Sequence, residues 1–478
     1  MKILFALVLA TSCIRAACSA EEPLVWPRFR GPDGSGIAEG QKPPVEIGPD
    51  KNVKWKVSVP PGISSPIVAG ENLIVTAFDG GKLFTIAYRR ADGQEAWRTE
   101  APAQAIEPFH KVEGSPAAST SATDGKHIVS YVGSCGLFCY DLNGKELWHY
   151  EMPAAATAGG FGSGASPIIA DNLAVLVRDD IKESKIVALD IASGKLKWER
   201  KRNSMASWCT PVIWDTPSGT QIAAAGHVRM IGYDLGSGDE KWSVTGMPSG
   251  CCASPVIADG KLFFAGTSSS GADEKPMAMP TFDSMLTNLD KDKDGAISRD
   301  EGEKALHGFF DNQDTNKDGR ITRDEYEMIM KFMSEGKNSA FAMKAGGSGD
   351  VTDSNILWKK TKGLPYIASV ILYGGQCVLI KDGGIVIACD PKTGDQVYRE
   401  RTGETGYYYA SPVAANGHIY VTSLASGVVT VLQAGAKKAK VIAKNPELGE
   451  RVAATPAIAD DCLYIRTAER LYAFAEKK

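Results

Sequence analysis

The chain has 478 residues, a formal net charge of −4, and 43% hydrophobic and 23% charged residues. A mildly acidic surface argues against nucleic acid or an anionic membrane as partner. The length exceeds one ordinary core, so either several domains or a ring of repeats must account for it.

Residues 1–20 read as an export signal. Lys2 gives the positive start, residues 3–10 a short apolar core, and Ala16, Ala17, Ser19 and Ala20 small side chains ahead of a cut before Glu21. That apolar run is too short to span a bilayer, and no other stretch could cross one. The mature chain is expected in the periplasm or outside the cell, where disulfides persist. Residues 21–50 are rich in Gly and Pro and open with Trp26-Pro-Arg-Phe-Arg-Gly-Pro32, the mark of an ordered strap or a flexible lead.

From residue 51 onward a unit repeats. A Ser or Thr, usually followed by Pro and apolar residues, stands at Ser65, Thr120, Ser166, Thr210, Ser254, Ser369, Ser411 and Thr455, at spacings of 42 to 55 residues with one interval of 115. Each unit then gives two short β-rich runs, such as Leu137-Phe-Cys-Tyr-Asp141 and Ile186-Val-Ala-Leu-Asp190, and a Gly turn leading to Trp97, Trp148, Trp198 or Trp242. Four antiparallel strands per unit make one propeller blade, which needs neighbours to cover its faces. The expected fold is all-β: an eight-bladed β-propeller with blades 1–5 beginning in residues 51–266 and the remainder in 339–478. The eighth unit ends at Leu471-Tyr-Ala-Phe474 without an outer strand, while Trp55 precedes the first unit without a blade. The strand around Trp55 should therefore complete blade eight and remove the open edge. Cys377 and Cys389 fall on neighbouring strands, where a bridge depends on register.

The long interval holds an insert at residues 267–338. Asp290, Asp292, Asp294, Ala296, Ser298 and Glu301 occupy positions 1, 3, 5, 7, 9 and 12 of an EF-hand loop with Gly295 at position 6; Asp314, Asn316, Asp318, Arg320, Thr322 and Glu325 do so again around Gly319. A hard cation takes oxygens from the first three side chains, the carbonyl at position 7, a water at 9 and a bidentate Glu at 12, so two Ca2+ sites are expected. The EF-hand resemblance implies that Ile297 and Ile321 pair between the loops, and residues 302–313 should form one short helix or bent connector shared by both hands. Phe282, Met285 and Leu286 before the loops, and Tyr326, Ile329 and Met330 after them, keep helical spacing. The insert occupies the hairpin between the second and third strands of blade five.

The Ser-Pro starts, the Asp-Gly-Lys turns at Asp124 and Asp259 and the Gly-to-Trp endings resemble the PQQ-like propeller repeat family, which includes bacterial quinoprotein dehydrogenases and outer-membrane assembly factors of the BamB type. That resemblance implies the fold; function resides in sites. The hairpin carrying the insert shares a face with the segments before each Ser or Thr, which ring the channel mouth. Phe161, Trp208, Tyr366, Tyr407 and Tyr408 form an aromatic rim there, with Glu113, Glu450 and Arg451 as charged members. One reading is a monomeric, non-catalytic scaffold offering the mouth and calcium lobe to a protein, peptide or glycan. The other is a PQQ-dependent oxidoreductase: the resemblance to quinoprotein alcohol dehydrogenases, which carry an adjacent-cysteine disulfide against the quinone, is kept alive by Cys251-Cys252, with Trp208, Tyr366 and Tyr408 beside them. Against it, no catalytic carboxylate, quinone-polarising calcium site or haem-binding Cys-x-x-Cys-His can be matched. None of the six His residues forms a metal-spaced pair.

Overall fold

Each repeat folds into one antiparallel sheet, and a computed structural model describing residues 25–268, 280–306 and 310–476 contains eight of them in ring order. The proposed leader at residues 1–20 lies outside the described residues. In blade one the strands are Ile67–Ala69, Asn72–Asp79, Lys82–Arg89 and Glu95–Ala101. The inner strands are nearly continuous apolar runs because a neighbouring blade covers each face, whereas the outermost strand alternates with solvent.

The repeated Ser and Thr now have a physical role. The hydroxyl of each accepts the backbone N–H of its counterpart one blade earlier, from Ser65 N to Thr120 Oγ1 onward to Thr455 N to Ser65 Oγ, all at 2.9–3.1 Å. These buried N–H groups precede the inner strands and have no ladder partner of their own, so a side-chain acceptor is needed in every blade.

The outer-strand tryptophans join each blade to the next. Trp55, Trp97, Trp148, Trp198 and Trp358 donate Nε1–H to Arg90, Leu142, Ile191, Leu235 and Pro391 carbonyls at 2.7–3.0 Å. Their rings lie on Gly93, Gly144, Gly194, Gly238 and Gly394, where a Cβ would meet the indole at 2.4–2.7 Å. Ring and glycine are thus one device spread over two blades. Val53–Ser58 pairs antiparallel with Arg470–Phe474, so Trp55 closes blade eight as expected. Trp242 departs from the pattern: it donates to Gln221 Oε1 within its own blade and stands edge-on to Trp214. Here the following blade lacks the short Gly turn, and Gly349–Asp350 adds instead as a fifth, parallel strand on blade four.

The strap is ordered and runs inside the ring. Val68 N and Thr123 N donate to Trp26 and Pro27 carbonyls at 2.8 Å, Arg30 Nη2 donates to Val370 O at 2.7 Å, and Ala414 N donates to Gly36 O at 2.8 Å. Those partners sit on or beside the innermost strands of blades one, two, six and seven, so residues 26–38 lie in the channel. Val68, Thr123 and Ala414 each stand three residues past the Ser/Thr ring, toward the end away from the mouth.

The insert leaves its blade intact. Lys261–Gly266 pairs along its whole length with Ser339–Lys344, and the insert leaves from the end where Gly266 faces Ser339. It has helices Phe282–Leu289 and Arg323–Ser334, shorter helical turns Arg299–Gly302 and Phe310–Gln313, and a core of Phe282, Met285, Ile297, Phe310, Ile321 and Tyr326. Ile297 pairs with Ile321 as the loop pattern requires. Cys377 and Cys389 are in direct cross-strand register, and both thiols are free.

Candidate functional site

The first loop brings oxygens of Asp290, Asp292 and Asp294 within 4.8 Å of one another. Asp290 accepts the N–H groups of Asp294 and Gly295 at 3.2 and 3.1 Å; Asp314 does the same for Asp318 and Gly319 at 3.1 and 2.9 Å. Gly295 and Gly319 share φ of 85°, the left-handed turn that position 6 demands. Each closing glutamate folds back over its loop. Glu301 accepts from Lys291 N and Ser298 N at 2.7 and 2.9 Å, and Glu325 from Thr315 N and Thr322 N, both at 3.0 Å. The Ser298 hydroxyl and these N–H groups hold the Glu301 carboxyl down to about 2. The donor set is all hard oxygen, as a Ca2+ site requires, with Ala296 and Arg320 placed to contribute backbone carbonyls. The loops are unequal. Asp314 and Glu325 are buried, whereas the first-loop carboxylates are largely exposed and Asp294 is paired with Arg320.

The lobe is docked on the mouth. Phe332 stacks on His227 with centroids 4.7 Å apart, and Glu335 lies 3.2 Å from His227 Nε2. Burial lowers the His227 pKa in spite of Glu335. Ile329 and Phe332 pack with Ala158 and Ala206, joined by Trp208 and Met205. Beneath this contact, Arg202 grips Asp179 through Nε at 2.7 Å and Nη2 at 3.2 Å, both side chains fully buried. Asp179 also accepts the Ser204 and Ser207 hydroxyls at 2.9 and 2.6 Å, so the ion pair shapes the segment on which the lobe rests.

The rest of the mouth is aromatic and acidic. Phe161 stacks on His110 at 5.3 Å and meets Trp208 edge-on at 6.0 Å, while Trp208 donates to Gly162 O at 2.6 Å. The long segment between blades one and two carries Glu113, whose carboxylate stands near enough to Tyr409 to act on its phenol. Tyr366 and Tyr409 are half-buried, and burial, then nearby groups that include Glu113, raise both phenols. Asp382 accepts Tyr408 N at 2.9 Å and is itself raised by burial. Arg451 lies over the Tyr409 ring at 5.8 Å. Tyr407 and Val112 project into solvent, 61% and 68% exposed.

Several expected mouth residues stand elsewhere. Tyr408 is 2% exposed and packs in the core between blades six and seven, because alternate residues of an extended segment point opposite ways; Tyr407 and Tyr409 are the rim residues. Cys251 is buried beside Cys209 with Sγ 3.2 Å from Pro248 O, and only Cys252 is partly exposed. All the described cysteines are free, so Cys251 and Cys252 are not joined. Burial, then Cys251 and Glu113, push the Cys252 thiol up to about 12. Glu450 is held by Arg470 and the Thr467 hydroxyl. Phe161, Trp208, Tyr366, Glu113 and Arg451 do converge on the mouth.

Glu107 is a residue that no sequence motif marks. It is buried and accepts Ser163 N and Oγ at 3.2 and 2.7 Å, and burial raises its carboxyl from 4.5 to about 7 despite those bonds. The folded state therefore loses stability as pH climbs from about 4.5 to about 7. Glu107→Gln keeps an acceptor for Ser163 N and removes the charge. Urea unfolding should show it more stable than the parent by up to about 3 kcal/mol at pH 8, with the gap closed by pH 4.

Together these features define a PQQ-like eight-bladed propeller bearing an EF-hand lobe on its mouth. The chain belongs to the family described as outer membrane protein assembly factor BamB, matched at residues 48–278 and 345–478. The EF-hand pattern matches residues 282–301 and 307–330. A comparison with curated proteins finds no match. Similar solved structures include BamB from Moraxella catarrhalis, 14% identical, with TM-score 0.52, 88% of this chain and 98% of that one covered. The computationally designed Ika8 protein is 11% identical, with TM-score 0.56 and 89% and 99% covered. A europium-containing methanol dehydrogenase is 11% identical, with TM-score 0.55 and 95% and 99% covered. At these identities the likeness is one of fold.

Proposed function

We propose that the protein is an exported calcium-binding propeller that holds a segment of a partner protein at its mouth and performs no chemistry there. The observation that carries this reading is the docking of the EF-hand lobe through Phe332 and Ile329 onto His227 and Ala206, which makes lobe and aromatic rim one continuous surface. Exposed Tyr407 and Val112 on that surface supply apolar contact area. The leader-like residues 1–20 support export.

The quinone reading fits the residues poorly. PQQ is a tricarboxylate, and the mouth would set Glu113 and Asp382 against it. Cys251 is turned into the core, so the pair cannot lie flat under a ring. The similar structures carry both an assembly factor and a dehydrogenase among their names, so the fold favours neither.

The test is a peptide-display selection on the calcium-loaded mature chain, repeated on Tyr407→Ala. Sequences enriched by the parent and lost on the variant support partner binding at the mouth. No enrichment, or tight PQQ binding with turnover of alcohols or sugars, overturns it.

A further inference from the structure

Resting on that reading of the mouth, we infer that its guest is cationic: a lysine or arginine side chain of the partner protein. The half-buried Tyr366 and Tyr409 and the exposed Tyr407 come from blades six and seven, with Tyr407 and Tyr409 centroids 6.4 Å apart. Two carboxylates stand among them from separate parts of the chain. Glu113, from the blade one to blade two segment, acts on both Tyr409 and Tyr366, and Asp382 lies in the blade six hairpin. Asp382 Oδ1 accepts Tyr408 N at 2.9 Å, which fixes the carboxylate beside the rings. Ring faces with carboxylates at their edges attract a cation through both the quadrupole and the charge.

The site already contains one instance of this recognition, because the Arg451 guanidinium lies over the Tyr409 ring. Two lysines lie nearby. Lys111, on the loop that carries Glu113, acts on Asp311 of the EF-hand lobe. Lys381 acts on its neighbour Asp382, where burial still outweighs it. Cys252, Glu113, Tyr409 and Asp382 all act on Tyr366. A long, flexible cationic side chain of the partner can reach past the exposed Tyr407 rim to the two carboxylates. An acidic or uncharged side chain would gain nothing from the two carboxylates and lose the ring interaction.

Blocked Gly-Lys-Gly, Gly-Arg-Gly, Gly-Gln-Gly and Gly-Glu-Gly peptides titrated into the calcium-loaded mature chain, followed by NMR, test this. The cationic peptides should bind at least about tenfold more tightly than the other two, and about tenfold more weakly to a Glu113→Gln/Asp382→Asn variant. Glu113 is exposed, and the amide oxygen introduced by Asp382→Asn keeps an acceptor for Tyr408 N, so folding is preserved; an unchanged thermal midpoint verifies it. Charge-independent binding lost on Tyr407→Ala overturns the cationic preference and leaves the mouth reading standing. Cationic binding that survives the double variant, or no binding at about 10 mM peptide, also overturns the preference, whereas the display selection separately decides whether the mouth binds a partner.

Discussion

Replacing Asp179 with Ala is expected to destabilise the protein by about 3–5 kcal/mol, because it strands a fully buried guanidinium. Burial opposes the charge on Arg202, yet Asp179 and then Tyr233 hold it above its ordinary value. Without Asp179 the guanidinium keeps the Nη1 bond to Tyr233 at 2.9 Å, its place over that ring and a long contact with Ala225 O, none of which carries a negative charge. The loss extends to the Ser204 and Ser207 hydroxyls, which also bond to Asp179. Segment 204–208 would relax, and with it the floor under Phe332. Asp179→Ala/Arg202→Met removes both charges and should be more stable than the single variant, since the main penalty is the unpaired ion and not the missing bridge. Urea unfolding of the parent, the single and the double variant in calcium gives the three values. A double variant no more stable than Asp179→Ala would show that packing, and not charge, is what Asp179 provides.

Features legible in the sequence recur or are local in the chain. The Ser/Thr positions were visible because every blade has the same unsatisfied N–H to cap, and the Trp and Gly positions because five of the blade interfaces repeat them. Trp55 could be assigned to blade eight because an outer strand was missing at one end of the chain and surplus at the other. The EF-hand loops are twelve-residue patterns whose ligands lie within one turn of chain. What escaped depends on direction or on distant partners. Tyr408 and Tyr409 are neighbours in sequence, and only the orientation of the segment puts one in the core and the other on the rim. Cys251 and Cys252 differ for the same reason. The raised carboxyl of Glu107 arises from burial, which outweighs the bonds from Ser163, 56 residues away. The strap's composition did not reveal its course, because Trp26 and Arg30 take partners from blades on opposite sides of the ring.

Calcium removal should act on the lobe first and on the mouth through it. In chelator, Asp290, Asp292, Asp294 and Glu301 repel one another across the first loop, and Asp314, Asp318 and Glu325 across the second, with no cation to balance them. A site saturated to 1,000 times its Kd contributes about 4 kcal/mol to whatever unit folds with it. That unit is expected to be the insert, since the Lys261–Gly266 and Ser339–Lys344 hairpin pairs without help from the loops. Calorimetry should therefore show a small transition that moves up with calcium, ahead of a larger propeller transition that moves little. The second loop should dominate: its Asp314 and Glu325 are the buried ones, and Glu325 closes the capping box of the helix Arg323–Ser334 that carries Phe332. Glu325→Gln should lower the small transition more than Glu301→Gln. Once that helix frays, the His227 and Trp208 contacts are lost, so the chelated protein should show altered tryptophan emission and weaker capture of displayed peptides. A lobe transition that ignores calcium would remove the metal from the account, whereas a calcium-dependent lobe with unchanged peptide capture would confine calcium to stabilising the insert and detach it from the mouth.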